Sequence, residues 1–191
     1  MDKKTKDLFE ISFSNSKAKL LAKSDNGISV ELIEFLGESE YQKIIDISSV
    51  LVDAYGTQAK FNRTTVKKYF NYPRTLPFII RYNNEPQGFV IGVPLENFDK
   101  ENWVHCDEFL GFHNTIYTYA FIIREEYRNF GLSKILKRIY HSTLKRRGYK
   151  YVTGHVREGI SAKFLNPTKV ITRCDNWNNT GYTFEYYRTE L

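Results

Sequence analysis

The run from Arg128 to Lys134 reads Arg-Asn-Phe-Gly-Leu-Ser-Lys, a sequence suited to holding an anion. Gly131 has no side chain, so a bulky ligand can approach its backbone closely. A helix is predicted to begin at this point. The first N–H groups of a helix have no partner within it, and the helix dipole adds positive potential there. An anion such as a phosphate group is therefore the expected occupant of this turn.

Side chains able to move a proton are fewer and less distinctive. His155 lies near a predicted strand end and has an ordinary pKa near 6.5, which suits general base catalysis through water. Tyr117 and Tyr119 are two positions apart, so they share one face of a strand, and a phenol can donate to a leaving group. Glu158 is a further choice. Each of these residues also has a structural interpretation, because single histidines and tyrosines often serve in packing.

The elements around these residues can be predicted from hydrophobic periodicity. Ile116 to Ile123 reads as a β-strand, and Tyr149 to Val156 reads as a second one. Between them, apolar residues recur with helical spacing up to a stop at Gly148. The apolar positions of this helix are Leu132, Ile135, Leu136, Ile139, Tyr140, Thr143 and Leu144.

A strand followed by this turn and helix resembles the GNAT superfamily of acyl-CoA-dependent N-acyltransferases. The family signature is Arg/Gln-x-x-Gly-x-Gly/Ala, and Arg128, Gly131 and Ser133 stand at its three marked positions. Ser133 replaces a glycine or alanine, and Asn129 stands where a glycine is common. The resemblance covers about forty residues, from Ile116 to Val156.

The resemblance implies a fold, a cofactor and a set of binding residues. The expected α/β (α+β) fold is a single GNAT-like domain, with a mixed, mostly antiparallel sheet of about six or seven strands flanked by helices. Two strands should splay at a groove for acetyl-CoA. Backbone groups of Phe121, Ile122 and Ile123 would bind the pantetheine arm of the cofactor. Those of Arg128, Asn129, Phe130, Gly131, Leu132, Ser133 and Lys134 would bind its pyrophosphate.

The activity implied is direct transfer of an acetyl or other acyl group to a primary amine of a small molecule or a protein. Two features of the sequence keep an alternative open. Asn166 stands where many family members have a tyrosine that protonates the leaving sulfur, and Gly159 stands where they have an asparagine. The strand from Ile116 to Ile123 also has no carboxylate. A non-catalytic module that binds acyl-CoA or a partner is therefore the alternative.

Composition sets wider limits. The 191 residues are 41% hydrophobic and carry a net charge of +6, typical of one globular domain that favours an anionic ligand. A basic nucleic-acid-binding protein is the less favoured alternative, since no RNA-binding signature is present. The sequence has neither an apolar run long enough for a membrane span nor a signal peptide, so we expect a cytoplasmic protein. Cys106 and Cys174 are expected to be free thiols. We expect no metal, and a monomer and a homodimer are both compatible with the sequence.

The rest of the chain is predicted to complete the domain. Residues 1–27 form an N-terminal extension that adds a strand or hairpin, and 28–191 form the GNAT-like domain. Within the extension, Leu8 to Phe13 alternates like a strand, and Lys17 to Lys23 reads as strand or short helix. A capping box of Ser39 and Gln42 is predicted to open a helix that ends at Gly56. The remaining elements predicted are strands at 28–35, 78–82, 87–93, 170–173 and 182–188, a helix at 64–69 and a turn at 83–86.

The connection from 94 to 114 is long for a compact domain, and such loops are often functional. A metal site at His105 to Glu108 is disfavoured, because adjacent residues of an extended chain point apart. We expect the loop to cover a substrate groove or to fill core space. In the first case Trp103, Phe109 and Phe112 would form a wall, and Asp107 and Glu108 would be partners for an amine. Trp177 is predicted to anchor its own loop or to lie beside the substrate.

Overall fold

The chain folds around one large sheet in the computed structural model, which describes residues 15–164 and 166–191. Its strands are β1 (Lys17–Lys23), β2 (Ile28–Phe35), β3 (Leu76–Tyr82), β4 (Glu85–Pro94), β5 (Thr115–Ile123), β6 (Tyr151–Arg157), β7 (Thr168–Cys174) and β8 (Phe184–Glu190). They form an eight-stranded sheet in the order β1-β2-β3-β4-β5-β6-β8-β7. The β5–β6 pair is parallel and the other neighbouring pairs are antiparallel.

Helices cover both faces of the sheet. They are α1 (Glu38–Ser48), α2 (Val52–Tyr55), α3 (Arg63–Phe70) and α4 (Leu132–Arg146). The apolar stripes of α1 and α3 pack on one face, where Ile44 and Phe70 belong to the same core cluster as Phe89. The stripe of α4 packs on the other face, where Leu136 joins Phe78 and Val90. No helix in 15–164 or 166–191 is long and apolar enough to span a membrane.

The predicted α/β class, with one mixed and mostly antiparallel sheet between helices, is confirmed. The sheet has eight strands rather than six or seven. The ambiguous segment Lys17 to Lys23 accounts for the difference, because it is the strand β1 and pairs with β2 at the sheet edge. An edge strand leaves much of its surface exposed, so its hydrophobic alternation is weak. The predicted strand at Leu8 to Phe13 lies outside the described residues.

The start and length of the first predicted helix are corrected by the structure. Gly37 occupies the N-cap position of α1, where no side chain caps the helix, and Ser39 lies inside the first turn. Ser39 is therefore not the residue that opens the helix, and the Gln42 side chain donates to Asp46, 2.8 Å away. The helical stretch up to Gly56 is also interrupted, since a 3₁₀ turn at Ser49–Leu51 separates α1 from α2.

The hairpin between β3 and β4 is tighter than the predicted four-residue turn. Tyr82 pairs with Glu85, which leaves Asn83 and Asn84 as the loop. Both asparagines have positive φ, 49° and 67°. Two consecutive left-handed residues are the requirement of the type I′ turn, which matches the twist of the strands it joins.

The splay between β5 and β6, expected from the family resemblance, is present. The two strands pair at three positions only, from Thr115 to Tyr117 on β5 and from Tyr151 to Thr153 on β6. Beyond Tyr117, β5 runs on to Ile123 while β6 diverges to Arg157. On its other side β5 pairs with β4, with a register shift that leaves no β4 residue opposite Tyr119. Such a bulge bends a strand and helps to open the sheet at this point.

Candidate active site

A cavity of about 860 Å³ occupies the gap between β5 and β6 and reaches both faces of the sheet. On the face covered by α4 it is lined by Phe121, Lys137 and Tyr140. On the face covered by α1 and α3 it is lined by Tyr69 and Tyr119. The opening of the sheet thus joins two compartments that a continuous sheet would separate.

The strand β5 supplies the middle of the cavity wall. Tyr117 and Tyr119 belong to one cluster on the same face, as their spacing predicts. Past the bulge, Ile122 packs under α1 and α3 whereas Ile123 packs under α4. Phe121 is 36% exposed and faces the cavity. The edge of β5 from Thr118 onward has no paired strand on the β6 side within the described chain, so its backbone groups are available to a ligand.

The predicted anion-binding turn lies where β5 leads into α4. A 3₁₀ turn at Glu125–Phe130 ends at Gly131, which has φ 75°. The N–H groups of Lys134 and Ile135 donate to the Gly131 carbonyl, and the N–H groups of 131, 132 and 133 have no backbone acceptor in the described part of the chain. A Cβ built at Gly131 would meet no atom within 4 Å. The turn therefore presents free donors and open space.

The side chains of this turn are not part of the cavity lining. Arg128 forms an ion pair with Glu125, 3.1 Å away, and Phe130 is 67% exposed. The turn is an open surface at the end of β5, and the cavity opens beside the middle of the same strand. A long ligand lying along β5 would occupy both.

Tyr117 and His155 meet in the cavity. The Tyr117 hydroxyl and His155 Nδ1 are 3.0 Å apart and share a hydrogen bond. The imidazole also stacks on Trp177, with ring centres 3.8 Å apart, and meets the edge of Trp103 at 5.0 Å. Burial lowers the pKa of His155 to about 3 and raises the pKa of Tyr117 well above its usual value. Both groups are therefore uncharged at neutral pH.

Tyr119 completes the set of three predicted proton-transfer residues, all of which line the cavity. Its ring stacks on Tyr69 with centres 3.8 Å apart. Burial raises the pKa of Tyr119, and it raises that of Tyr69 as well. Neither phenol can act as a base near neutral pH, but both can donate and accept hydrogen bonds.

A second hydroxyl cluster was not predicted from the sequence. Tyr187 lines the cavity, and Gly154 gives its ring room, because a Cβ there would lie 3.0 Å from the Tyr187 hydroxyl. The Thr118 and Tyr140 hydroxyls are 3.2 Å apart and share a hydrogen bond. Burial raises the pKa of the Tyr187 phenol. The sequence gives no local signal for this group, because β8 reaches β6 only through the sheet order.

The loop from 94 to 114 only partly matches its prediction. Trp103 lines the cavity as expected, and so does Trp177. Phe109 instead stacks on Tyr151, with ring centres 4.2 Å apart, and Phe112 packs against Phe109. The prediction that these two rings form the groove wall is wrong, because both lie outside the cavity lining.

The loop acids are also not partners for an amine. Asp107 is buried and accepts hydrogen bonds from the Tyr186 hydroxyl at 2.6 Å and from Arg188 at 3.0 Å. Glu108 pairs with the same guanidinium group. Both carboxylates are thus committed to fixing the loop on β8. Glu158 is not among the residues that line the cavity and forms an exposed ion pair with Arg173 at 3.0 Å. Within the described ranges, no three His, Cys, Asp or Glu side chains are grouped to hold a metal ion.

No protein-family model matches the sequence, and no curated protein matches it. Solved structures do match the fold. The ribosomal-protein-S18-alanine N-acetyltransferase from Escherichia coli has a TM-score of 0.62 at 13% identity, with 86% of this chain and 94% of that chain covered. A GCN5-related N-acetyltransferase from Kribbella flavida gives 0.63 at 13% identity, with 88% and 100% covered.

A further match is the structure of the NatC complex bound to Gag peptide and CoA, with a TM-score of 0.62 at 13% identity and 86% and 98% of the two chains covered. These proteins share with the present chain the whole domain rather than the motif alone. At such identities the likeness establishes architecture and leaves the reaction to be argued from the site. The chain has the fold of the GNAT N-acetyltransferases.

Proposed function

We propose that this protein is an acyl-CoA-dependent N-acyltransferase that moves an acetyl group directly from acetyl-CoA to a primary amine. The observation that carries the proposal is the opening between β5 and β6, which leaves one strand edge unpaired beside a cavity that reaches both faces of the sheet. A donor bound from one face and an amine bound from the other would meet there. Placing two reactants in one groove can contribute roughly 7–11 kcal/mol to lowering the barrier.

The residues present suit acetyl-CoA. The free N–H groups at 131–133 and the open space at Gly131 fit a pyrophosphate on the turn from Arg128 to Lys134. The unpaired edge at Phe121, Ile122 and Ile123 fits the amide groups of the pantetheine arm. Lys137, beside the cavity on α4, adds positive charge on that face. When bound, acetyl-CoA supplies a thioester carbonyl as the acyl donor.

The chain's own groups would orient the reactants rather than exchange protons with them at neutral pH. A backbone N–H of β5 would polarise the acyl carbonyl. As the C–N bond forms and the C–S bond breaks, the attacking nitrogen loses a proton to water. The leaving sulfur gains one from water, and the Tyr187 phenol, which remains protonated because burial raises its pKa, would donate a hydrogen bond to it. Tyr117, Tyr119 and His155 would hold the amine and the water by hydrogen bonds.

The alternative is a module that binds acyl-CoA without turning it over. The observation in its favour is that burial shifts the pKa values of the three predicted catalytic residues away from neutral pH. Burial lowers the pKa of His155 to about 3 and raises the pKa values of Tyr117 and Tyr119, so none changes charge near neutral pH. An enzyme that relies on positioning and water would have the same pattern, so activity has to be measured.

Two assays separate the possibilities. Calorimetric titration with acetyl-CoA tests cofactor binding, and a generic oligonucleotide run in parallel tests the nucleic-acid alternative. Product formation with a panel of primary amines should then be followed by mass spectrometry, because Cys106 is exposed and would react with a thiol reagent. Binding with turnover supports the enzyme, and binding without turnover of any amine supports the module. Binding of the oligonucleotide but not of acetyl-CoA would overturn both.

A further inference from the structure

Aromatic rings form most of the cavity wall on the side away from α4. We call this part the aromatic pocket, and its members are Tyr55, Tyr69, Trp103, Tyr117, Tyr119 and Trp177. Trp103 and Tyr117 have ring centres 4.9 Å apart, and Tyr69 and Tyr119 stack at 3.8 Å. Ring faces carry partial negative charge, so a pocket of this kind attracts both flat apolar groups and cations.

The phenol groups of the pocket lie close enough to affect one another. Burial is the main reason that the pKa of Tyr117 is raised, and the phenols of Tyr55, Tyr119 and Tyr69 add to the effect. Each hydroxyl is therefore neutral at physiological pH and keeps acceptor lone pairs. The Tyr55 and Tyr117 hydroxyls both contact His155, and the Tyr69 and Tyr119 rings are stacked on each other. Phenol oxygens grouped in this way can accept N–H bonds of a primary ammonium group.

The charged residues that line the cavity on the side of the aromatic pocket are acidic, and Lys68, which lies over the Tyr69 ring, is outside the cavity lining. Glu101 and Asp175 line the cavity on this side and are exposed at its mouth. Among the described lining residues, the cation Lys137 lies on α4 at the other face, and His141 on the same helix is neutral because its pKa is lowered to about 4. His155 carries no charge at neutral pH, because burial lowers its pKa to about 3. A negative mouth on a chain with net charge +6 favours a positively charged ligand.

Two hydrogen bonds close the outer side of the aromatic pocket. Gln58 Nε2 donates to the Asn178 carbonyl at 3.1 Å, and the Tyr55 hydroxyl donates to the His155 carbonyl at 3.2 Å. The first bond joins the segment after α2 to the loop between β7 and β8, and the second joins the end of α2 to β6. An extended peptide would need a channel between these segments, and the two hydrogen bonds close that path. The aromatic pocket therefore suits a compact molecule.

We propose that the aromatic pocket binds a small organic cation: a primary ammonium group carried on a flat aromatic body. This inference rests on the proposed function only in naming the bound molecule as the acyl acceptor, after its ammonium group has lost one proton to water to give the attacking amine. The ring faces hold the body, the phenol oxygens accept from the ammonium group, and Glu101 and Asp175 attract the cation to the mouth.

Tryptophan fluorescence reads this pocket directly, because Trp103 and Trp177 are the chain's two tryptophans. The probes are 2-phenylethylamine, phenethyltrimethylammonium, 2-phenylethanol and n-propylamine, each titrated without acetyl-CoA at pH 7.5. We expect 2-phenylethylamine to bind at least about tenfold more tightly than the uncharged alcohol and the small aliphatic amine. Phenethyltrimethylammonium keeps the ring and the charge but has no N–H to donate, so it should bind more weakly than 2-phenylethylamine. Equal binding of the alcohol, or no saturable response to either aromatic cation, would overturn the proposal.

Substitutions test the two parts of the site separately. Glu101→Gln removes an exposed charge without disturbing the core, and should weaken binding of both aromatic cations at low salt while leaving the alcohol unchanged. Glu126→Gln removes an exposed acid outside the cavity lining and is the matched control. Tyr69→Leu should weaken cation binding about fivefold or more, and Tyr69→Phe, which keeps the ring face, should lose much less. Equal losses in the two Tyr69 variants would contradict the role of the ring.

Cofactor binding is measured separately, so that the two proposals can fail independently. If acetyl-CoA binds and is transferred to an extended peptide while neither aromatic cation binds, the acyltransferase stands and the small-cation inference is wrong. If the aromatic cations bind and acetyl-CoA does not, the inference about the pocket stands and the proposed function is wrong.

Discussion

Tyr117 and His155 hold each other in place inside the cavity, and their properties argue for positioning rather than proton exchange. The hydroxyl of Tyr117 lies 3.0 Å from His155 Nδ1, and both side chains are buried. A histidine whose pKa is lowered to about 3 is a weak base at neutral pH. Its value to the reaction would lie in fixing Tyr117 and, through it, the amine.

Removing the Tyr117 hydroxyl tests this role. Tyr117→Phe keeps the ring and loses the bond to His155, so we expect kcat to fall about tenfold or more, while calorimetry finds the Kd for acetyl-CoA unchanged. Tyr149→Phe, a half-buried phenol outside the cavity lining, is the control and should keep wild-type turnover. A Tyr117→Phe variant with full kcat would mean that this hydroxyl takes no part in the reaction.

Sequence patterns identified some of these residues and left their partners hidden. Tyr117 and Tyr119 were predicted to share one face because they are two positions apart and side chains alternate along a strand. The Tyr117–His155 bond joins positions 38 apart on different strands. Trp103 and Trp177, for which a place beside the groove was one of two expectations, and Tyr187, which was not predicted, reach the cavity from still other segments. No local pattern shows that these segments meet.

Among the elements, the unit of β5, turn and α4 was predictable because its signals are local. Helical periodicity, a glycine stop and the motif glycine together specify it. The first helix was predicted less well, because its capping signal at Ser39 lies inside the helix and Gly37 is the cap. Strand order was beyond local reasoning, since the insertion of β8 between β6 and β7 depends on contacts between distant segments.

The proposed role of the turn before α4 in binding pyrophosphate can be tested with the two glycines that flank this helix. Gly131 and Gly148 both have positive φ, 75° and 89°, and a Cβ at either would meet no atom within 4 Å. Changing either to alanine should cost a similar strain of about 1–2 kcal/mol in stability. Gly131→Ala alone should weaken acetyl-CoA binding, by about tenfold or more, because the added methyl fills the space proposed for the pyrophosphate.

Thermal unfolding shows whether the two glycine variants are equally strained, and calorimetry gives the Kd of each for acetyl-CoA. If Gly131→Ala and Gly148→Ala bind acetyl-CoA alike, the turn is not the pyrophosphate site.

The loop from 94 to 114 depends on one buried ion pair for its position. Asp107 accepts from both Tyr186 and Arg188, and the side chains of Asp107 and Arg188 are almost fully buried. Asp107→Ala would leave Arg188 partly unpaired and should lower the free energy of unfolding by about 3–5 kcal/mol. Glu108→Ala removes a mostly exposed partner of the same Arg188 and should change it by less than about 1 kcal/mol. Urea denaturation compares the two, and equal losses would contradict the anchoring role of Asp107.

For the molecule as a whole, the same burial that shapes the cavity makes stability depend on pH. His155 has a pKa of about 3 in the folded chain against 6.5 for an unperturbed histidine, and the pKa of His141 is lowered to about 4 by burial and by Lys137. Below pH 6.5 the unfolded chain therefore binds protons that the folded chain does not. Stability from these groups is present above pH 6.5 and is lost progressively as the pH falls toward the folded values.

The contribution of His155 can be isolated between pH 7 and pH 5, above the usual range in which carboxylates titrate. Because the pKa of His155 falls from 6.5 in the unfolded chain to about 3 in the folded chain, His155 alone should lower the free energy of unfolding by about 2 kcal/mol between pH 7 and pH 5. The groups around the imidazole are Tyr117, Cys174, Tyr186 and the two tryptophans, with no carboxylate among these direct partners. Between pH 7 and pH 5, the free energy of unfolding of His155→Gln, measured by urea denaturation, should therefore fall by about 2 kcal/mol less than that of the wild type. The control, His105→Gln, changes an exposed position and should show the same fall as the wild type. A full wild-type fall in His155→Gln would show that the imidazole is protonated in the folded chain.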